Sequence, residues 1–220
     1  MIDVMLAPWP HSIIDNVIEN SLFEEITDIT DIFNSLGDGA HTIELVNSIE
    51  LGVSQQLSEK IVNFADNILN DYRMLFSQFS LPASDAGYIC KPQWCVIKNY
   101  IEPVHDDRYK DLSLSICIMT NNNSGIDLYV EDRFSNRVEF TQNAGVLFCS
   151  KKNVTSHSVS SIGTQIFLNI YFYKLDEWIN PTYRNLRLSE LDNDVYSWQK
   201  RMIMDGKLIR TAYDIAELFK

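Results

Sequence analysis

Between Gln93 and Tyr173 the chain offers short strand candidates in close succession, with no helical stretch among them. They are Trp94–Tyr100, Leu112–Met119, Ile126–Glu131, Arg137–Phe140, Gly145–Ser150, Thr155–Ser160 and Gln165–Tyr173. Each is rich in β-branched or aromatic residues. Turn-forming pieces separate them: Asn121–Gly125, Phe134-Ser135-Asn136, Gln142–Gly145 and Ser161-Ile162-Gly163. A parallel sheet needs helical crossovers of a dozen residues or more, and this stretch has no room for them. The pattern therefore predicts an antiparallel sandwich, barrel or jelly roll.

The flanks have a different period. Leu22, Phe23, Ile26, Ile29, Ile32, Phe33 and Leu36 recur at helical spacing, with Asn20, Ser21 and Glu24 resembling a capping box and Gly37 and Gly39 ending the segment. A second helix is expected from about Ser54, with Leu57, Ile61, Phe64, Ala65, Ile68, Leu69, Tyr72, Leu75 and Phe76 forming one apolar stripe. Such a stripe packs on a sheet. Two more helices are expected over about Asp194–Met204 and Thr211–Phe219, broken at Gly206. The reading is one domain, 1–220, mainly β with flanking helices: a helical N-terminal region over 1–85, a jelly-roll core over 88–174 and a helical C-terminal extension over 175–220.

A net charge of −12 repels phosphate backbones and argues against a nucleic-acid partner. No apolar run approaches the roughly 20 residues of a membrane span, and the N-terminus has no signal-peptide pattern. Cys90, Cys95, Cys117 and Cys149 contain no CxxC pair, which disfavours a zinc ribbon. Cys117 and Cys149 lie in apolar strands and read as buried thiols, so a cytoplasmic location is expected.

The sharpest chemical feature is His105-Asp106-Asp107. Side chains two apart on an extended segment point the same way, so His105 and Asp107 can reach one point while Asp106 faces away. An imidazole and a carboxylate are two of the three groups that hold Fe(II) with open coordination positions. His157 lies 50 residues on, between the apolar strands Gly145–Cys149 and Ile166–Phe172. In a closed jelly roll these two places can meet at the barrel mouth.

With these pieces the sequence resembles the Fe(II)- and 2-oxoglutarate-dependent oxygenases, especially the prolyl-hydroxylase-like branch. The likeness rests on His105-Asp106-Asp107, the strand ending at Tyr100, the Gly125–Tyr129 turn into strand, Ala144–Phe148 and the distal His157-Ser158-Val159. The opening Trp9–Ile18, followed by Leu22–Ile26, resembles the family's first strand and helix. The resemblance spans about residues 8–174. It implies a double-stranded β-helix (jelly roll, cupin-like) core and an Fe(II) ion held by His105, Asp107 and His157. It also implies 2-oxoglutarate as cosubstrate, with O2 converting it to succinate and CO2 as a small molecule or a protein side chain is hydroxylated.

One departure stands out. The family places an Arg or Lys about ten residues after the distal His to pair with the far carboxylate of 2-oxoglutarate. The corresponding residue here is Gln165, and no basic residue lies between Lys152 and Lys174. Lys98 is the first replacement expected and Arg137 the second, with the Tyr100 hydroxyl on the same alternation face as Lys98. The alternatives are a different keto acid, a metal-dependent cupin-type enzyme that uses no 2-oxoglutarate, or a catalytically inactive binding jelly roll. His11, His41, Trp94, Trp178 and Trp198 read as structural, and Lys151-Lys152 as a solvated loop. The sequence leaves the substrate and the oligomeric state open.

Overall fold

The computed structural model describes residues 5, 11–71, 88–105, 112–121, 125–130, 133–149, 156–174, 202–204 and 207–209. Ten strands and three α-helices occur there, and the elements follow the order β1 (His11–Ile14), α1 (Asn20–Asp28), β2 (Gly39–Glu44), α2 (Leu45–Glu50), α3 (Gln55–Asp71), β3 (Tyr88–Ile101), β4 (Leu112–Met119), β5 (Gly125–Val130), β6 (Arg133–Glu139), β7 (Gly145–Cys149), β8 (Ser156–Lys174), β9 (Met202–Met204) and β10 (Lys207–Ile209). A 3-10 turn, Thr30–Ser35, follows α1.

All pairings are antiparallel. The larger sheet runs β1-β7-β4-β8-β3, with β2 and β9 both pairing to β3 and β10 beyond β9. The smaller one is β6-β5 joined to the opening residues of β8. β8 thus belongs to both layers: residues 156–159 pair with β5, and from Ser160 onward the strand pairs with β3 and then β4. This shared strand is what curls the sheets into the expected jelly roll.

Two cores follow from strand alternation. Trp94, Val96, Leu112, Leu114, Ile116, Leu168, Ile170 and Phe172 face the helices, where Leu22, Ile26, Phe33, Leu57, Ile61, Ala65 and Ile68 cover them. Phe33 meets Trp94 at a ring distance of 5.3 Å. The opposite face packs between the sheets, with Ile97, Cys117, Ile126, Leu128, Phe140, Val146, Phe148, Val159 and Phe167. The α3 stripe packs on the sheet as its period predicts.

Several expectations change. The helix read through Leu36 stops at Asp28 and tightens into the 3-10 turn. Its N-cap is Glu19, without a side-chain cap bond, and Ser21 Oγ donates to Glu19 rather than closing a capping box. Gly39, read with Gly37 as a helix stop, opens a strand, Gly39–Glu44, that pairs with β3. Phe134–Asn136 lies within β6 and Ser161–Gly163 within β8. Met202–Met204 is not the end of a helix but half of a strand pair with Lys207–Ile209, joined in register at Met204 and Lys207. The intervening Asp205-Gly206 is a dipeptide that two-residue hairpins favour. The rest of the expected C-terminal helices lies outside the described residues, as do Tyr72, Leu75 and Phe76. Among the described residues, no helix is long and apolar enough to cross a membrane.

Candidate metal centre

His105 and His157 come from distant stretches and meet as a β-bridge. The His105 amide donates to the His157 carbonyl at 3.0 Å, and the His157 amide donates to the His105 carbonyl at 2.9 Å. Residues opposed in this way carry their side chains on one face, about 5.5 Å apart at Cα. The backbone therefore forces the two imidazoles together, and their ring centres lie 4.4 Å apart. His157 is positioned further by β5, where it opposes Leu128, and by the Phe148 ring at 5.2 Å. It is buried, at 6% exposure.

The donor chemistry of the pair fits a metal. His105 Nδ1 lies 2.9 Å from the Pro103 carbonyl oxygen. A carbonyl only accepts, so this bond puts the proton on Nδ1 and leaves the Nε2 lone pair for an ion. Metal–nitrogen distances of about 2.1 Å put each imidazole centre about 3.2 Å from a shared ion, and ligands at right angles then hold ring centres about 4.5 Å apart. The observed 4.4 Å matches that spacing. Asp107 lies outside the described residues. Among the described residues, no group of three His, Cys, Asp or Glu side chains closes on one ion.

The pair opens onto a cavity of about 120 Å³ between the sheets. Its apolar wall includes Ile97, Val159 and Phe167, and its polar wall includes Glu102, Ser115, Asn169 and Tyr171. Glu102 Oε1 lies 3.9 Å from His105 Nε2. The Glu102 amide donates to the Val159 carbonyl at 2.8 Å, which ties the approach to His105 onto β8. Cys117, buried deeper in the same core, is a thiol whose pKa burial pushes up to about 12. It is inert as a nucleophile or ligand at neutral pH.

The expected anchors for a distal carboxylate fare differently. Lys98 is committed elsewhere: its ammonium donates to the Asn34 and Leu36 carbonyls at 3.0 and 2.9 Å, at the end of the 3-10 turn. Arg137 pairs with Asp127 at 2.7 Å on the smaller sheet. The register of β3 on β8 shifts between Lys98 and Tyr100, around Asn99, whose φ is +43°. None of these three lines the cavity. Gln165 is buried opposite Ile97 and donates to the Ser160 carbonyl at 3.1 Å. His11 is buried opposite Phe148, His41 meets the Gly37 carbonyl at 2.9 Å, and Trp94 is core, so these three are structural. Lys151, Lys152, Trp178 and Trp198 lie outside the described residues. Glu102 opens the segment expected to rim the site, Glu102–Leu112, whereas Ser115, Asn169 and Tyr171 went unread in the sequence. Asn169 did leave a signal, as the one polar residue inside Ile166–Phe172 apart from the Tyr171 hydroxyl.

The chain is thus an antiparallel jelly roll with an imidazole pair at the opening of its inter-sheet cavity. Solved structures share this fold. A prolyl hydroxylase from Trichoplax adhaerens, in complex with a hypoxia-inducible-factor oxygen-degradation-domain peptide fragment, matches with a TM-score of 0.57 at 14% identity, over 76% of this chain and 84% of that one. A 2-oxoglutarate–Fe(II) oxygenase family oxidoreductase from Burkholderia pseudomallei matches with a TM-score of 0.54 at 12% identity, over 74% and 84%. A non-haem α-ketoglutarate-dependent epimerase of nogalamycin biosynthesis matches at 0.52 and 8%, over 74% and 76%. No family model and no curated protein matches the sequence. The chain has the fold of the Fe(II)/2-oxoglutarate oxygenases, with prolyl hydroxylases among its structural neighbours.

Proposed function

We propose that the chain is a non-haem Fe(II) oxygenase that uses a 2-oxo acid cosubstrate, with His105, Asp107 and His157 as the metal ligands. The observation that carries the reading is the imidazole pair, held by a reciprocal backbone bridge at a cavity between the sheets. Fe(II), when bound, supplies the O2 chemistry that couples decarboxylation of the oxo acid to hydroxylation of a small molecule or a protein side chain.

The protein's own contribution is positional. The Pro103 carbonyl holds the His105 tautomer. Phe148 and the β5 pairing fix the His157 ring. Asp107, two residues beyond His105, supplies the carboxylate and lowers the net charge of a divalent site. Ile97, Val159 and Phe167 give the cavity an apolar wall, which strengthens the polar contacts made beside it. Glu102, beside His105 Nε2, adds a second negative group at the opening and favours a cation there.

The test is CO2 release from 1-carboxyl-labelled 2-oxoglutarate at millimolar concentration with Fe(II) and O2, followed by a screen of amino acids and peptides as substrates. Release that requires Fe(II) and disappears in His157→Ala supports the proposal. Release that is unchanged in that variant contradicts it.

A further inference from the structure

The cavity behind the two histidines carries two imidazoles and one carboxylate, Glu102, and among the described residues no Lys or Arg lines it. Three described cations of the sheets are engaged. Lys91, opposite Tyr171 on β3, pairs with Glu44 at 2.7 Å, while Lys98 and Arg137 hold the partners already given. Among the described residues, a ligand carboxylate at the inner wall would meet no opposite charge, and it would face Glu102 across a small space.

The wall is instead built for hydrogen bonds. Asn169 is 9% exposed, and its Nδ2 donates to the Tyr171 hydroxyl at 3.0 Å. Its Oδ1 is buried and has no hydrogen-bond partner among the described residues. Gln165, nearer the bend on the same face of β8, repeats the pattern, with Nε2 satisfied and Oε1 buried without a partner. A buried acceptor left unpaired is costly, and a ligand that brings a donor to it recovers that cost. A ligand that brings another acceptor leaves the cost in place. Sites built on such groups discriminate strongly between donor and acceptor ligands.

We infer that the inner wall formed by Ser115, Asn169 and Tyr171 receives the uncharged, donor-bearing end of a small 2-oxo acid, a terminal amide or hydroxyl, in preference to a second carboxylate. The inference rests on the oxygenase reading, which puts the oxo-acid end at the metal. The volume agrees with a small tail: a 150 Å³ apolar cavity accepts benzene, so about 120 Å³ takes about five non-hydrogen atoms. Binding is the whole of the claim, and no bond changes at this wall.

The experiment is anaerobic calorimetry on the full chain loaded with Mn(II), titrated separately with 2-oxoglutarate, its 5-amide 2-oxoglutaramate, and 5-hydroxy-2-oxopentanoate. The amide is expected to bind at least about tenfold more tightly than the dicarboxylate. Asn169→Leu should bring the two within about threefold, and Asn169→Asp should weaken the dicarboxylate further while the amide still binds. Circular dichroism checks that each variant folds, and the wild-type comparison decides the matter if one does not. Tighter binding of 2-oxoglutarate by the wild type overturns this inference and leaves the oxygenase reading standing, as does a preference unmoved by Asn169→Leu. Mn(II) binding with no binding of any 2-oxo acid overturns the cosubstrate reading, and this inference with it.

Discussion

At the level of single residues, function depends on which atoms are already occupied. His105 keeps its lone pair on Nε2 because a neighbouring carbonyl holds Nδ1. Lys98 is unsuited to anchor a ligand because two backbone carbonyls already hold its ammonium. The sequence shows the side chains but not these commitments, so the two histidines were legible as a pair while the engagement of Lys98 was not. A local irregularity was equally hidden: Asn99, with positive φ, sits where the register between Lys98 and Tyr100 shifts. Cys117 gives a pH prediction at this scale. Burial raises its pKa from 9.0 to about 12, so the folded state keeps a proton that the unfolded state loses first. The stabilisation is fully present below about pH 9 and is lost as pH rises toward 12. Denaturant unfolding at pH 8 and pH 11 should show a smaller alkaline loss in Cys117→Ala than in the wild type. Equal losses would mean that the thiol is not the titrating group.

At the level of elements, the turn before β7 joins several segments of the fold. Asn143, buried at φ +60°, accepts from the Ile18 amide at 2.8 Å and donates to the Ile18 carbonyl at 2.7 Å. Its backbone also bonds Cys117 and Val17. One side chain thus fastens the segment between β1 and α1 to the jelly roll. Asn143→Ala leaves two backbone groups unpaired and strains the left-handed backbone, at a cost of about 3 kcal/mol. Asn143→Gly relieves the strain but not the lost bonds and should be more stable than the alanine variant by about 1 kcal/mol. Equal melting of the two variants would show that backbone conformation contributes nothing there. Two core strands were legible almost in full: Leu112–Met119 matches residue for residue, and Gly145–Cys149 follows the turn expected at Gln142–Gly145. β2 was hidden because Gly39 reads as a helix stop, and only its pairing partner β3 makes it a strand. The bend in β8 was hidden because a strand shared by two sheets contains the same Ser161-Ile162-Gly163 chemistry as a loop.

For the whole molecule, two layers have separate tasks. The helices and the outer face of the large sheet form a dry core, while the inner faces enclose the candidate site. Phe33, fully buried against Trp94, couples the helical layer to β3. Phe33→Ala should cost about 3–5 kcal/mol of folding stability. At temperatures where the variant remains folded, its metal affinity should stay within about threefold of the wild type. A loss of metal binding without unfolding would place the helical layer in the site itself. The architecture was legible at this scale because a helical stripe followed by closely spaced strands admits few arrangements. The neutral inner wall was not, since polar residues of β4 and β8 become one surface only when the strands pair.

If His105 and His157 share one cation, as proposed, anaerobic Fe(II) titration followed by calorimetry will show it. The wild type should bind one equivalent. His105→Ala and His157→Ala should each lose at least about 100-fold in affinity while keeping the wild-type circular dichroism, since even removing groups that only support ligands costs 10–100-fold. A wild type that binds no Fe(II), or either variant binding it as tightly as the wild type, would contradict the account.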